Sequence, residues 1–164
     1  LYNRRFFDEV FEKKVSIAAR ERTKVALFMC DIDNFKSYND IYGHQMGDKV
    51  LKEISDELKS HFCRAGDFVC RIGGEEFAVI LTILGSKQLD DFASKIVKKI
   101  EKLSIEHKGN QPFNVVTVSC GIAVVDFETT DKIFSVDDIY KMSDDELYKS
   151  KQNGKNRFSS IHIP

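Results

Sequence analysis

Residues 68–83 read FVCRIGGEEFAVILTI, and this stretch decides the architecture. Two β-prone runs, 68–72 and 77–83, flank Gly73, Gly74, Glu75 and Glu76. Tandem glycines between such runs mark a hairpin, because glycine takes positive φ without steric penalty. A central hairpin needs further strands. Upstream, residues 25–32 read VALFMCDI, a short apolar run that suits a buried strand, ending in the polar stretch DNFKSYND at 33–40. Downstream, residues 115–125 read VVTVSCGIAVV, a strand with a glycine break, and the tail from 157 to 163 is placed to add an edge strand.

Helical spacing fills the gaps. Phe7, Val10, Phe11, Val15 and Ala18 form one apolar stripe, with Asn3 as its N-cap. A second helix is expected from near Gly47, with Val50, Leu51, Ile54 and Leu58 facing inward. A third carries Leu89, Phe92, Ile96, Val97, Ile100 and Leu103, and a fourth runs from about Val136 to Asn153 with Gly154 as its C-terminal cap. The order α-β-α-β-β-α-β-α-β predicts one mixed sheet with helices packed on it, an α/β (α+β) domain.

Bulk properties narrow the function. The chain has 164 residues, no linker and two prolines, so one domain spanning 1–164 is expected. Its net charge of -1 gives no general surface for nucleic acid, so phosphate recognition must be local. No apolar run approaches the roughly 20 residues that span a bilayer, and no signal peptide is visible, so no membrane contact is expected. Cys30, Cys63, Cys70 and Cys120 form no CxxC pair or zinc spacing, and read as reduced thiols of a cytoplasmic protein.

The carboxylates carry the chemistry. Asp31 and Asp33 lie where the first strand ends, and alternation aims them the same way. Glu75 and Glu76 lie at the hairpin tip. If the two strands are neighbours, these groups converge and repel unless a cation sits among them. Hard oxygen ligands suit Mg2+ or Mn2+, and a metal pair about 3.5–4 Å apart clamps both oxygens of a phosphoryl transfer. Spacing alone does not decide between this and a plain solvated turn.

Longer motifs extend this reading. RIGGEEF at 71–77 resembles the signature of the GGDEF family in its GGEEF form. DIDNFKSYND at 31–40, GHQMGD at 43–48, VTVSCGIA at 116–123 and DDELYKSKQNGKNR at 144–157 resemble that family's other motifs, in order. The opening LYNRR resembles the end of another. The resemblance spans essentially the whole chain. It implies a fold akin to nucleotide cyclases and polymerase palms, and a diguanylate cyclase that condenses two GTP into cyclic di-GMP and two pyrophosphates.

Roles follow by position from the resemblance. Asp31 through its carboxylate, Ile32 through its carbonyl and Glu75 would hold Mg2+ or Mn2+, two ions per site. Glu75 or Glu76 would assist deprotonation of the ribose 3'-OH, with Glu76 favoured because a metal-bound carboxylate is a poor base. Asn34, Phe35 and Lys36 would offer backbone N–H groups to the β and γ phosphates, and Lys36 its charge to the reacting phosphorus. Asn39 and Asp48 would read guanine, with His44 shaping the pocket. Lys151 and Lys155 would bind distal phosphate; the family usually has arginine at the second position, and lysine loses the bidentate fork. Arg64 and Asp67 fit an RxxD motif that binds the product as an inhibitor in relatives.

The resemblance also implies a homodimer for catalysis, since one domain supplies half of the reacting pair. The segment is expected to be excised from a longer, sensor-linked protein, cytoplasmic as a domain and either membrane-anchored or soluble as a whole. The alternative is an inactive receptor for GTP or cyclic di-GMP.

Overall fold

The computed structural model describes residues 1–83 and 87–164. Ten elements run through them: α1 Arg4–Glu21, β1 Lys24–Ile32, α2 Phe35–Tyr42, α3 His44–His61, β2 Phe68–Arg71, β3 Glu76–Ile83, α4 Lys87–Lys102, β4 Val118–Asp126, α5 Val136–Gln152 and β5 Phe158–Ile163. The strands form one sheet in the order β2-β3-β1-β4-β5. All neighbours are antiparallel except β4 and β5, which are parallel. This is the mixed sheet with helices packed on it that the sequence predicts, and it is mostly antiparallel.

β1 lies at the centre and is apolar almost throughout because both its faces are covered. Ala26, Phe28, Cys30 and Ile32 pack with Val50 and Ile54 of α3 and Ile96 of α4. The alternate residues Val25, Leu27 and Met29 pack with Phe7 and Phe11 of α1 and Ile139 and Leu147 of α5. Burying each of these large side chains contributes about 1.5–3 kcal/mol. The Asn3 side chain accepts the Phe6 N–H at 3.0 Å and caps α1. Gly154, at φ +108°, follows α5, where the Lys155 N–H closes on the Ser150 carbonyl. All four cysteines are free thiols, and burial pushes the Cys70 thiol up to about 11. Among the described residues no helix is long and apolar enough to cross a membrane.

Three features differ from the reading of the sequence. The polar stretch after β1 is itself a helix, α2, which buries Phe35 and Tyr38 on its inner side. The helix expected from Gly47 begins at His44, directly after α2. Gly121 does not break its strand: β4 is continuous, and Gly121 pairs with Met29 of β1. A Cβ at Gly121 would overlap the backbone of α5 at Ser143 and Leu147, so this glycine serves close helix–sheet approach.

Candidate active site

Pairing of β1 with β3 sets Asp31 opposite Glu76, and the Ile32 N–H donates to the Glu75 carbonyl at 3.4 Å. The hairpin glutamates and the end of β1 therefore share one rim of the sheet. Asp31 is buried and its carboxylate meets the Lys151 ammonium of α5 at 3.0 Å. Burial pushes the Asp31 carboxyl up to about 6; Lys151 pulls it down, and the charges of Glu75 and Glu76 push it further up. Among the described residues no three His, Cys, Asp or Glu side chains gather into a closed metal cluster. The donors at the rim are hard oxygens with surplus negative charge, a set that fits a divalent cation.

Asp33 does not join this group. Its carboxylate accepts Thr117 Oγ1 at 2.7 Å, Ser119 Oγ at 2.6 Å and the Asn156 N–H at 3.1 Å. Both oxygens are occupied, and the residue is 1% exposed. The chain leaves the strand after Ile32, so alternation no longer governs Asp33. It anchors the end of β1 to β4 and to the turn after α5.

A cavity of about 630 Å³ opens beside the rim. Phe35, Lys36, Asn39, His44, Asp48 and Glu75 all line it, uniting three sequence motifs, the last of them some 30 positions beyond the first two. The α2 N-terminus is turned by Asn34 at φ +55° and has no side-chain cap. Its first N–H groups remain available to an anion. The Asn39 Oδ1 is buried with no hydrogen-bond partner, against Gly47. A Cβ at Gly47 would overlap that oxygen, which explains the second glycine of GHQMGD. Lys151 reaches the rim from α5, and Lys155, at φ +62°, lies in the turn after that helix.

The hairpin tip is held by Arg71, to which the sequence reading gave no role. Arg71 donates to the carbonyls of Gly73 and Gly74, at 3.3 and 2.7 Å, and lines the cavity. Glu76 lies against Gly73, where any Cβ would overlap its carboxylate. Behind α2, His107 and Asn110 are fully buried. The Asn34 amide donates to Asn110 Oδ1 at 2.9 Å, and His107 Nε2 lies 3.1 Å from the Asn34 carbonyl. Burial depresses the His107 pKa below the usual imidazole range, against the opposing pull of Asn34 and Asp33. Neither residue sits in an apolar pattern; only three-dimensional proximity finds them.

Arg64 and Asp67 lie elsewhere, in a second cavity of about 480 Å³ shared with Lys59, Phe62 and Cys63. Asp67 accepts the Arg64 backbone N–H at 3.2 Å, while the Arg64 guanidinium stacks on Phe92 at 4.7 Å. Burial raises the Asp67 carboxyl pKa, against the pull of the Arg64 N–H and charge.

Comparison with known proteins joins these features. The family model described as "Diguanylate cyclase, GGDEF domain" matches residues 1–157. The chain belongs to the GGDEF family. The GGDEF chain is 37% identical over 154 residues to diguanylate cyclase A of Treponema denticola, covering 93% of this chain and 40% of that protein. It superposes with a TM-score of 0.86 on the coiled coil and GGDEF domain of DgcB from Caulobacter crescentus in complex with c-di-GMP, at 27% identity over 98% of this chain and 82% of that one. The active GGEEF domain of a Vibrio cholerae diguanylate cyclase superposes with a TM-score of 0.81, at 30% identity, over 100% of this chain and 98% of that one. The chain spans 33% and 40% of the length of two of the curated relatives it matches.

Proposed function

We propose that this GGDEF domain condenses two GTP into cyclic di-GMP, releasing two pyrophosphates. The observation that carries the proposal is the single cavity shared by the α2–α3 segment and the GGEE tip, beside the Asp31–Lys151 pair. The resemblance supplies the reaction; the cavity supplies places for the parts of one GTP.

The unpartnered Asn39 carbonyl and the Asp48 carboxylate suit the N1–H and 2-amino donors of guanine. Adenine lacks that donor pair, so the same groups select against ATP. His44 closes this end of the pocket. The N–H groups of Asn34, Phe35 and Lys36 receive the β and γ phosphates, and Lys36 extends its charge toward the α-phosphorus. Lys151 and Lys155 take the outer phosphate oxygens; the Lys151 ammonium leaves Asp31 to do so. Asp31, the Ile32 carbonyl and Glu75 would hold Mg2+ or Mn2+, two per site, which stabilises charge on the attacking and leaving oxygens.

Each 3'-OH attacks the α-phosphorus of the other GTP, the bond to the β-phosphate breaks, and pyrophosphate departs. Glu76, or Glu75, accepts the hydroxyl proton. One cavity holds one GTP, so two domains must face each other, and orienting the two substrates contributes much of the rate gain. Cyclic di-GMP, bound in the DgcB structure, is proposed to occupy the Arg64–Asp67 cavity as an inhibitor. A GTP pool places the domain in the cytoplasm, with neither nucleic acid nor a membrane as a partner.

The test is turnover of GTP with Mg2+ by concentrated or artificially dimerised domain, with chromatographic identification of the product. Cyclic di-GMP from wild type and none from Glu75→Ala is expected. Nucleotide binding without product in wild type would favour the receptor reading instead.

A further inference from the structure

We propose that His107 and Asn110, on the segment between α4 and β4, are positioning residues that set the phosphate-binding turn at Asn34. The proposal rests on the reading that this turn receives the triphosphate.

The starting observation is the backbone of Asn34, at φ +55° and ψ +32°. Asparagine tolerates this left-handed region better than other non-glycine residues, and here specific contacts fix it there. No side chain caps α2, and α2 has 8 residues, too few for an isolated helix to persist. Its support is external: the core takes Phe35 and Tyr38, and residues 107–110 hold its N-terminal turn.

His107 makes the decisive bond. Its Nδ1 accepts the Gly109 N–H at 3.2 Å, so the ring proton lies on Nε2 and is donated to the Asn34 carbonyl at 3.1 Å. That carbonyl also accepts the Tyr38 N–H at 3.0 Å. In a trans peptide the carbonyl and the following N–H point in opposite directions. Fixing the Asn34 carbonyl from the helix side therefore aims the Phe35 N–H outward, into the phosphate site.

Asn110 fixes the side chain of the same residue. Its Oδ1 accepts from Asn34 Nδ2 at 2.9 Å. Its own Nδ2 donates to Thr117 Oγ1 at 2.9 Å, and Thr117 donates to Asp33 Oδ2 at 2.7 Å. The path begins on Asn34 and ends on its neighbour Asp33, so it is a closed loop with every member paired. Such a loop resists rotation of the Asp33–Asn34 peptide more than separate bonds do. Further contacts run along α2: the His107 ring meets Tyr38 edge-on at 5.1 Å, Gly109 packs on Ser37 and Ile41, and the Lys108 N–H donates to the Tyr42 hydroxyl at 3.1 Å.

The test uses His107→Phe, which keeps a ring and loses the donor, and His107→Gln, whose side-chain amide offers a donor at similar reach. Three probes are titrated into each protein: GTP with Mg2+, inorganic tripolyphosphate with Mg2+, and guanosine. His107→Phe should weaken GTP and tripolyphosphate about tenfold each and leave guanosine within twofold. The loss should appear in KM before kcat, and His107→Gln should recover most of it. Asn110→Ser carries the same expectation if His107→Phe proves unstable. Equal weakening of all three probes, or wild-type tripolyphosphate affinity in the Phe and Ser variants, overturns the proposal. If wild type binds tripolyphosphate and is sensitive to His107 but makes no product, only the catalytic reading fails.

Discussion

Replacing Asp33 separates a structural carboxylate from a metal-binding one. The residue is 1% exposed and accepts three hydrogen bonds from two separate segments, β4 with the residue before it and the turn after α5. Asp33→Ala leaves two hydroxyls and one backbone N–H without their acceptor. Each stranded group costs about 1–3 kcal/mol, reduced where a hydroxyl finds a new partner. The expected loss is about 4 kcal/mol, equivalent to a Tm drop of about 8–16 °C in a domain of this size. Asp33→Asn is milder. Its oxygen can keep Thr117 and Asn156, and its NH2 can donate to Ser119 once that hydroxyl turns to accept. The expected cost is about 1–2 kcal/mol, from exchanging charged for neutral hydrogen bonds. Urea denaturation followed by circular dichroism measures both. If Asp33→Ala unfolds within about 1 kcal/mol of wild type yet no longer binds Mg2+, the assignment of Asp33 as an anchor is wrong.

Three further outcomes are expected. Gly121→Ala should destabilise the fold by about 3 kcal/mol or more in urea melts, since a Cβ there meets the backbone of α5 and no flexible side chain can yield. Gly47→Ala should leave the melting midpoint nearly unchanged and weaken GTP at least tenfold by calorimetry, because the added methyl displaces the Asn39 carboxamide. The Asp31 carboxyl, raised from 3.8 to about 6, makes folding take up a proton. In chelator, its contribution is therefore most favourable below about pH 4 and is lost as pH rises through 6, by at most about 3 kcal/mol. Thermal melts from pH 4 to 8 should show that decline in wild type and lose it in Asp31→Asn, while Mg2+ affinity should fall as pH drops below 6.

The apolar periods of the sequence identify both faces of the sheet and four of the helices, because buried positions recur with a fixed repeat. α2 escapes that reading: only Phe35 and Tyr38 mark its inner side, and it is held by α3 and by residues 107–110, over 60 positions away. Gly121 is misread for a related reason. A glycine that admits a helix and a glycine that ends a strand look alike until the helix is in place. At the site, motif resemblance locates the cavity residues Phe35, Lys36, Asn39, His44, Asp48 and Glu75, which the fold brings together. Strand alternation, by contrast, misplaces the Asp33 carboxylate among the rim acids, because the strand ends at Ile32, one residue earlier than that reading assumes. Arg71 acts on the carbonyls of Gly73 and Gly74, His107 on the Asn34 carbonyl and Asn110 on the Asn34 side chain, and no residue pattern encodes such individual bonds.

A helix lying on a sheet is ordinarily free to creep along its own axis by small amounts. α5 is keyed instead: Gly121 admits its backbone, Ser143 donates to the Gly121 carbonyl at 3.4 Å, and Ser150 to the Cys120 carbonyl at 2.7 Å. One notch of slippage would drive side chains into the strand and strand both hydroxyls. Lys151 is the very next residue after the second key, so its reach is indexed to the sheet like the jaw of a vice to its bed.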